Sequence, residues 1–269
     1  MKKIAHEAPI SIFDDVQART DYDYALVHLF EESDQYFNLF KQSLKKNREV
    51  ILDNSIFELG TAFDPEKYAE WIVKLQPTYY IIPDVLNDAK GTIENFDNWI
   101  KNYKDSVPGK IIAVAQGKTF NEFLECYNHL TAHVDKIAIS FDSEFYNMWI
   151  SRFPTKQPTK YHEWAIARHL LFVQMVERDL IKKNVPHHLL GCGVPQEFLN
   201  YHKYDFIDSI DTSNPVVAGL KGLRYNELLG LDDKPSEKLF TLINSEVSPN
   251  QMATITHNVT WFRKIVNGE

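Results

Sequence analysis

Seven short apolar, β-branched runs recur along the chain with helical segments between them, and this alternation limits the fold more than any other feature. The runs are Tyr24–Leu29, Glu49–Asp53, Tyr79–Pro83, Lys110–Ala115, Lys136–Phe141, His188–Gly191 and Phe206–Ile210. They lack clean in–out alternation, which fits strands covered on both faces, as in a parallel sheet. Asp64-Pro65-Glu66 reads as an N-cap with proline in the first turn, opening a helix to about Leu75. Thr119-Phe120-Asn121-Glu122 is a capping-box pattern opening a helix to about Thr131. Tyr161–Lys183 is the longest helical stretch, with Lys182 and Lys183 complementing its C-terminal dipole. Ser248-Pro249 opens a last helix through Trp261 and Ile265.

Strand–helix alternation over 269 residues predicts an α/β protein, one catalytic domain over 1–269, closing as a (β/α)8 TIM-type barrel with a C-terminal helix. Seven strands are evident. Lys238–Ile243 is the candidate for the eighth, and it could equally be helical. An open doubly wound sheet is the alternative. Against it, no Gly-x-Gly-x-x-Gly turn follows any strand, and Gly191-Cys192-Gly193 lacks the third glycine.

Composition narrows the class. The two cysteines, Cys126 and Cys192, are too few for a disulfide framework or a four-thiolate zinc site. The segment Met1-Lys2-Lys3-Ile4-Ala5-His6 has no apolar h-region, and no apolar run approaches the roughly 20 residues that span a bilayer. A cytoplasmic protein without membrane contact is expected. The net charge of −8 weighs against a wholly basic nucleic-acid binder, although a local patch would suffice.

Polar residues gather just past the predicted strand ends: Asp53, Asp84, Gln116, Gly191 and Asp211. In a parallel barrel these positions form the active face. The plainer alternative is that each acid caps the next helix, but Asn54, Asn87, Thr119 and Ser213 stand nearby as ordinary cap candidates. His129 and His133 have helical i, i+4 spacing but lack the Glu of a His-Glu-x-x-His motif, so a solvated helix face is expected. His187 and His188 are adjacent on a strand and point to opposite faces. Lys41–Arg48, like Lys182 and Lys183, is explained by a helix C-terminus. The loop Ser151–Lys160 differs, carrying Arg152, Lys156 and Lys160 beyond the fifth predicted strand. Lys221 and Arg224 are further phosphate-contact candidates.

The segments Asp53-Asn54-Ser55-Ile56-Phe57-Glu58, Pro83-Asp84-Val85, Val114-Ala115-Gln116-Gly117, Leu190-Gly191-Cys192-Gly193-Val194-Pro195 and Asp208-Ser209-Ile210-Asp211 occur in a telling order. It resembles that of the tRNA-guanine transglycosylase superfamily, most of all its phage branch of DNA 7-deazaguanine transglycosylases. The resemblance spans roughly Val50 to Pro215. It implies that Asp211 is the nucleophile and Asp53 the general acid/base. Asp84 and Gln116 would read the base, with backbone contacts from Gly191, Cys192 and Gly193. The implied reaction exchanges guanine in DNA for a 7-deazaguanine such as 7-cyano-7-deazaguanine, through an aspartyl–sugar intermediate. Its partners are DNA and the incoming base, with no metal or nucleotide cofactor. Two departures stand out. No cysteine follows Cys192, so the zinc site of the tRNA enzymes, three cysteines and a histidine, lacks its cysteine ligands here, and Asn54-Ser55-Ile56 replaces the glycine pair after the first aspartate. Both favour DNA over tRNA. tRNA exchange, a retaining glycoside hydrolase and a non-catalytic binding subunit remain as alternatives.

Overall fold

The computed structural model describes residues 1–227, 230–235 and 237–268. The first elements are β1 (Lys3–Ala5), α1 (Phe13–Gln17), β2 (Asp23–Leu26), α2 (His28–Glu32), α3 (Asp34–Lys45), β3 (Val50–Asp53), α4 (Ile56–Leu59), α5 (Pro65–Leu75) and β4 (Tyr79–Ile81). Then follow α6 (Ala89–Asn102), β5 (Lys110–Val114), α7 (Phe120–Leu130), β6 (Lys136–Ser140), α8 (Asn147–Ile150) and α9 (Lys160–Glu177). The chain ends with β7 (His187–Leu190), β8 (Ile207–Asp211), α10 (Asn214–Leu220) and α11 (Pro249–Asn267). The eight strands form one parallel sheet in the order β1-β8-β7-β6-β5-β4-β3-β2. This is the strand order of a (β/α)8 TIM-type fold.

The eighth strand is not Lys238–Ile243. It is β1, paired with β8 so that Ile4 faces Ile210 and Ala5 faces Asp211. Lys238–Ile243 instead holds a 3-10 turn over Leu239–Leu242. The reason lies in spacing: Leu239 and Leu242 are three apart, which eclipses them on one side of a 3-10 turn. Both then pack against Val216, Val217, Ile255 and Val259.

The longest helix up to that point, α9, also ends at Glu177, six residues earlier than its composition suggests. Asp179 adopts a left-handed conformation (φ 54°), and Leu180 N–H donates to the Met175 carbonyl at 2.8 Å and Asp179 N–H to Val176 at 3.1 Å. This Schellman pattern closes the helix, with Asp where glycine is usual. Lys182 and Lys183 therefore lie in the loop before β7, beyond reach of the helix-dipole role expected of them. The other caps form as expected. Asp64 accepts from Lys67 N–H and Thr119 from Glu122 N–H, and Ser248 and Gln251 make a reciprocal capping box. Glu122 reaches back to Lys118 N–H at 2.8 Å.

By internal packing the chain divides into two compact units, Met1–Thr20 with Tyr146–Asn184 and Leu189–Glu269, and Asp21–Phe145 with Val185–His188. In the second unit, Tyr24 of β2 stacks on His188 of β7 with centroids 6.1 Å apart and planes at 19°. Four strands separate β2 from β7 in the sheet order, so the sheet of this unit is curled. His187 points the other way and meets Tyr127 Oη of α7 at 2.9 Å, its ring pushed down to about 4 by burial.

In the first unit, α10 and α11 pack closely because Gly219 has no side chain. A Cβ there would lie 2.8 Å from Ile255 Cα. Gly219→Ala should therefore destabilise by about 1–3 kcal/mol, the usual cost of overpacking against a backbone. Urea unfolding should show a lower midpoint with unchanged slope; a wild-type midpoint would contradict the contact.

Candidate active site

Every acid, amide and glycine turn singled out in the sequence lies at or just past the C-terminal end of a different strand. Asp53 closes β3 and Asp211 closes β8; Asp84, Gln116 and Gly191 follow the ends of β4, β5 and β7 within three residues. The two units hold separate parts of this set.

In the unit containing Asp21–Phe145, Asp84 and Gln116 are brought into direct contact. Gln116 Nε2 donates to Asp84 Oδ2 at 2.7 Å, while its Oε1 accepts from Asn87 N–H at 3.0 Å. Asn54 Nδ2 donates to Asp84 Oδ1 at 2.8 Å and to the Ile82 carbonyl at 3.1 Å. Asp84 is only 2% exposed, and burial holds its carboxyl above the usual carboxylate range although the Asn54 and Gln116 amides pull it down. The Asp84 backbone N–H adds a third donor to its own carboxylate, and Gln116 has a second N–H besides the one given to Asp84. Asp84 also lines a cavity of about 550 Å³ with Ile56, Pro83, Leu86, Trp99 and Tyr103. That volume lies within the usual range for small-molecule sites.

Asp53 is held differently. Tyr24 Oη donates to its Oδ2 at 2.8 Å and Ser55 N–H to its Oδ1 at 2.9 Å. Ser55 has φ 60°. A serine thus occupies the left-handed turn that a glycine would adopt without strain. Asn54, beside it, supplies the buried link to Asp84.

In the other unit, Asp211 is 6% exposed and opposite Ala5. The pairing continues past it: Thr212 N–H donates to the Ala5 carbonyl at 3.1 Å, and His6 Nδ1 lies 2.8 Å from the Thr212 carbonyl. A carbonyl can only accept, so His6 carries its proton on Nδ1. Three residues after Asp211, Asn214 Nδ2 donates to the Gly193 carbonyl at 3.1 Å, and Tyr225 Oη donates to Asn214 Oδ1. The Asp211 loop and the Gly191–Gly193 turn are thereby tied together. Cys192 is fully buried and its thiol is pushed up by burial, so it stays protonated and inert.

The turn has a second anchor that the sequence reading missed. Arg168 of α9 is fully buried and donates to the Leu190 carbonyl at 3.0 Å and the Gly191 carbonyl at 3.1 Å. It also forms a fork with Glu197, at 2.5 and 3.0 Å, and Tyr201 Oη donates to the same carboxylate at 2.6 Å. Burial opposes the guanidinium charge, but Glu197 more than offsets it and raises Arg168 above its ordinary value. A signal was available: Arg168 falls on the stripe of Ala165, Leu171, Phe172 and Met175 that faces inward. A lone arginine on an apolar stripe requires a buried partner.

Among the cations, Arg152, Lys156 and Lys160 are exposed, the last opening α9. Lys221 is drawn into an ion pair with Glu237 at 2.6 Å, and Arg224 is exposed. Arg48 forks onto Asp23 through Nε and Nη2, each at 3.0 Å, an ion pair in place of a helix-terminus role. His129 contacts Asp97 at 2.8 Å on the outer helices. No helix among the described residues is long and apolar enough to cross a membrane. Neither a protein-family model nor a curated protein matches the chain.

Two stability measurements test these networks. Gln116→Glu places a second carboxylate against Asp84, and the pair then shares a proton. Below its raised pKa the fold holds; as pH rises through that value, stability is lost at up to about 1.4 kcal/mol for each pH step of one. The gap in melting temperature from wild type should widen as pH rises, and a constant gap would contradict the contact. Arg168→Met strands a buried carboxylate and should cost about 3–5 kcal/mol, while the double change with Glu197→Met recovers a large part. Equal losses in the single and double variants would show that the two side chains do not interact.

Proposed function

We propose that the chain is a base-exchange enzyme that replaces guanine in DNA with a 7-deazaguanine. The observation that carries this reading is the strand-end placement of Asp53, Asp84, Gln116, Gly191 and Asp211 on five separate strands. Active sites of TIM-type barrels are built at that end, and the residues occur in the order of the transglycosylase motifs.

In this mechanism Asp211 attacks C1′ of the target nucleotide, and the bond from C1′ to the base nitrogen breaks as the carboxylate–sugar bond forms. The leaving guanine takes a proton from Asp53. The 7-deazaguanine then attacks C1′ from the vacated side, returns a proton to Asp53 and releases Asp211. Two displacements keep the sugar's configuration, as in retaining glycosidases. The glycosidic bond is conserved in number, so the exchange needs no nucleotide cofactor. Asp84 suits the guanine N1–H and 2-amino donors, and the free Gln116 N–H suits O6.

The nucleophile is the test. Asp211→Asn should lower base exchange at least a thousandfold while the variant keeps wild-type circular dichroism, and substrate trapping should label Asp211 in the wild type. Undiminished exchange would sink the assignment. Nucleoside analysis of DNA and tRNA from cells expressing the chain separates the two polynucleotides directly.

A further inference from the structure

The start of α9 carries an aromatic and cationic cluster that the exchange chemistry does not use. Tyr161 and Trp164 stand one turn apart, with ring centroids 5.6 Å apart and planes at 76°. Both are only half-buried. Lys160 Nζ lies 5.1 Å from the Tyr161 ring and 5.0 Å from the Trp164 ring. Lys234, from a distant segment, adds a second ammonium 5.6 Å from Tyr161.

This cluster is fixed to the Asp211 side of the chemistry. Tyr161 backs onto Gly193 so closely that a Cβ at Gly193 would lie 3.1 Å from the Tyr161 carbonyl oxygen and 3.2 Å from its Cβ. Gly193 is in turn bound by Asn214, three residues past Asp211. Lysine–aromatic pairs also occur on outer helices, as at Trp71–Lys74 and Trp261–Lys264. Those join one ring to a lysine of the same helix, whereas here two rings and two separate lysines converge beside a strand-end turn. Exposed Arg152 and Lys156 precede them in the chain.

We propose that Tyr161 and Trp164 form a stacking platform for unpaired bases of a single DNA strand, with Lys160 on a flanking phosphate. The inference rests on the polynucleotide reading above and specifies how the strand is held. Single-strand sites combine aromatic rings, on which any base can stack, with cations that track the backbone. An arriving base would take the place of an ammonium now over a ring. That ammonium has a phosphate within one nucleotide to turn to, and a phosphate is the stronger partner for it.

The experiment measures fluorescence anisotropy with a labelled 12-nucleotide single strand, its duplex, and an abasic strand of equal length. The wild type should prefer the single strand over both others. Tyr161→Ala/Trp164→Ala should weaken single-strand binding on the order of tenfold or more and abolish the preference over the abasic strand. Its salt slope should stay the same. Lys160→Gln should instead lower the log–log salt slope by roughly 0.7, the contribution of one lost phosphate contact. Because Tyr161 packs on Gly193, Trp164→Ala alone and Trp164→Phe are included. The first should lose affinity and the second retain most of it. Wild-type affinity in folded Trp164→Ala, or equal binding of the abasic strand by the wild type, would overturn the platform. Exchange by the wild type separates the two readings: ring-dependent single-strand binding in a wild type without exchange activity leaves stacking standing and removes the transglycosylase. Exchange on a single strand with unchanged affinity and KM in the ring variants does the reverse.

Discussion

A parallel strand that ends in a buried carboxylate, amide or carbonyl must find its hydrogen-bonding partners inside the protein, and that requirement organises both units. Burying such a group unpaired costs more than a typical packing contact returns. Asp84 meets the requirement through Asn54 and Gln116, and Asp53 through Tyr24 and the Ser55 amide. The carbonyls of Leu190 and Gly191 meet it through Arg168, and that of Gly193 through Asn214. Apart from the Ser55 amide, the donors come from other strands, helices and loops 21 or more residues away in sequence, so each of these strand ends also sets the position of a neighbouring element. Arg168 is the clearest case: it locks α9, the strand end of β7 and the turn containing Glu197 into one arrangement, and only a charge balanced by Glu197 could do so without a large desolvation cost.

The parts of the fold that were legible in the sequence are those written in local chemistry. Apolar β-branched runs gave seven strands, and Asp64, Thr119 and Ser248 marked three helix starts because a cap is read from four consecutive residues. β1 was not legible, since three residues carry no period and Lys3-Ile4-Ala5 becomes a strand by pairing with β8. Lys238–Ile243 misled for the converse reason: its apolar content fits a strand, but the three-residue spacing of Leu239 and Leu242 serves a 3-10 turn. The end of α9 was hidden because Asp179 takes a left-handed turn that composition assigns to glycine. Lys221 read as a free cation only because its partner, Glu237, comes from another part of the loop.

At the candidate site the sequence located residues better than it located their bonds. Strand-end positions follow from the β/α alternation, so Asp53, Asp84, Gln116, Gly191 and Asp211 could be placed without knowing any partner. That Gln116 spends one donor on Asp84 and its oxygen on Asn87 could not, because both contacts join different strand ends. The consequence is chemical. A Gln116 amide fixed at both ends cannot rotate to present oxygen in place of nitrogen, so whatever meets its remaining N–H must be an acceptor. A guanine O6 satisfies that condition, and the ring N1–H donor of the same base suits the remaining lone pairs of Asp84. The orientation of the amide thus constrains the ligand more tightly than the residue type does.

Charge imposes the last constraint. A chain of net charge −8 repels a polyanion on average, but that average acts weakly beyond the ~8–10 Å screening length at physiological salt. What a phosphate meets is local. Two lysines differ in their commitments: Lys221 is paired with Glu237, and Lys160 lies over ring faces where the attraction is modest and exchangeable. An ammonium held over an aromatic ring is partly oriented yet not neutralised by an acid, so it can turn to a phosphate without breaking an ion pair. Lysines paired with carboxylates cannot do this without leaving a negative charge exposed to the strand. The distinction between Lys160 and Lys221 is therefore one of partner rather than of charge, and it favours the α9 end of the molecule as the place where the strand proposed above would be held.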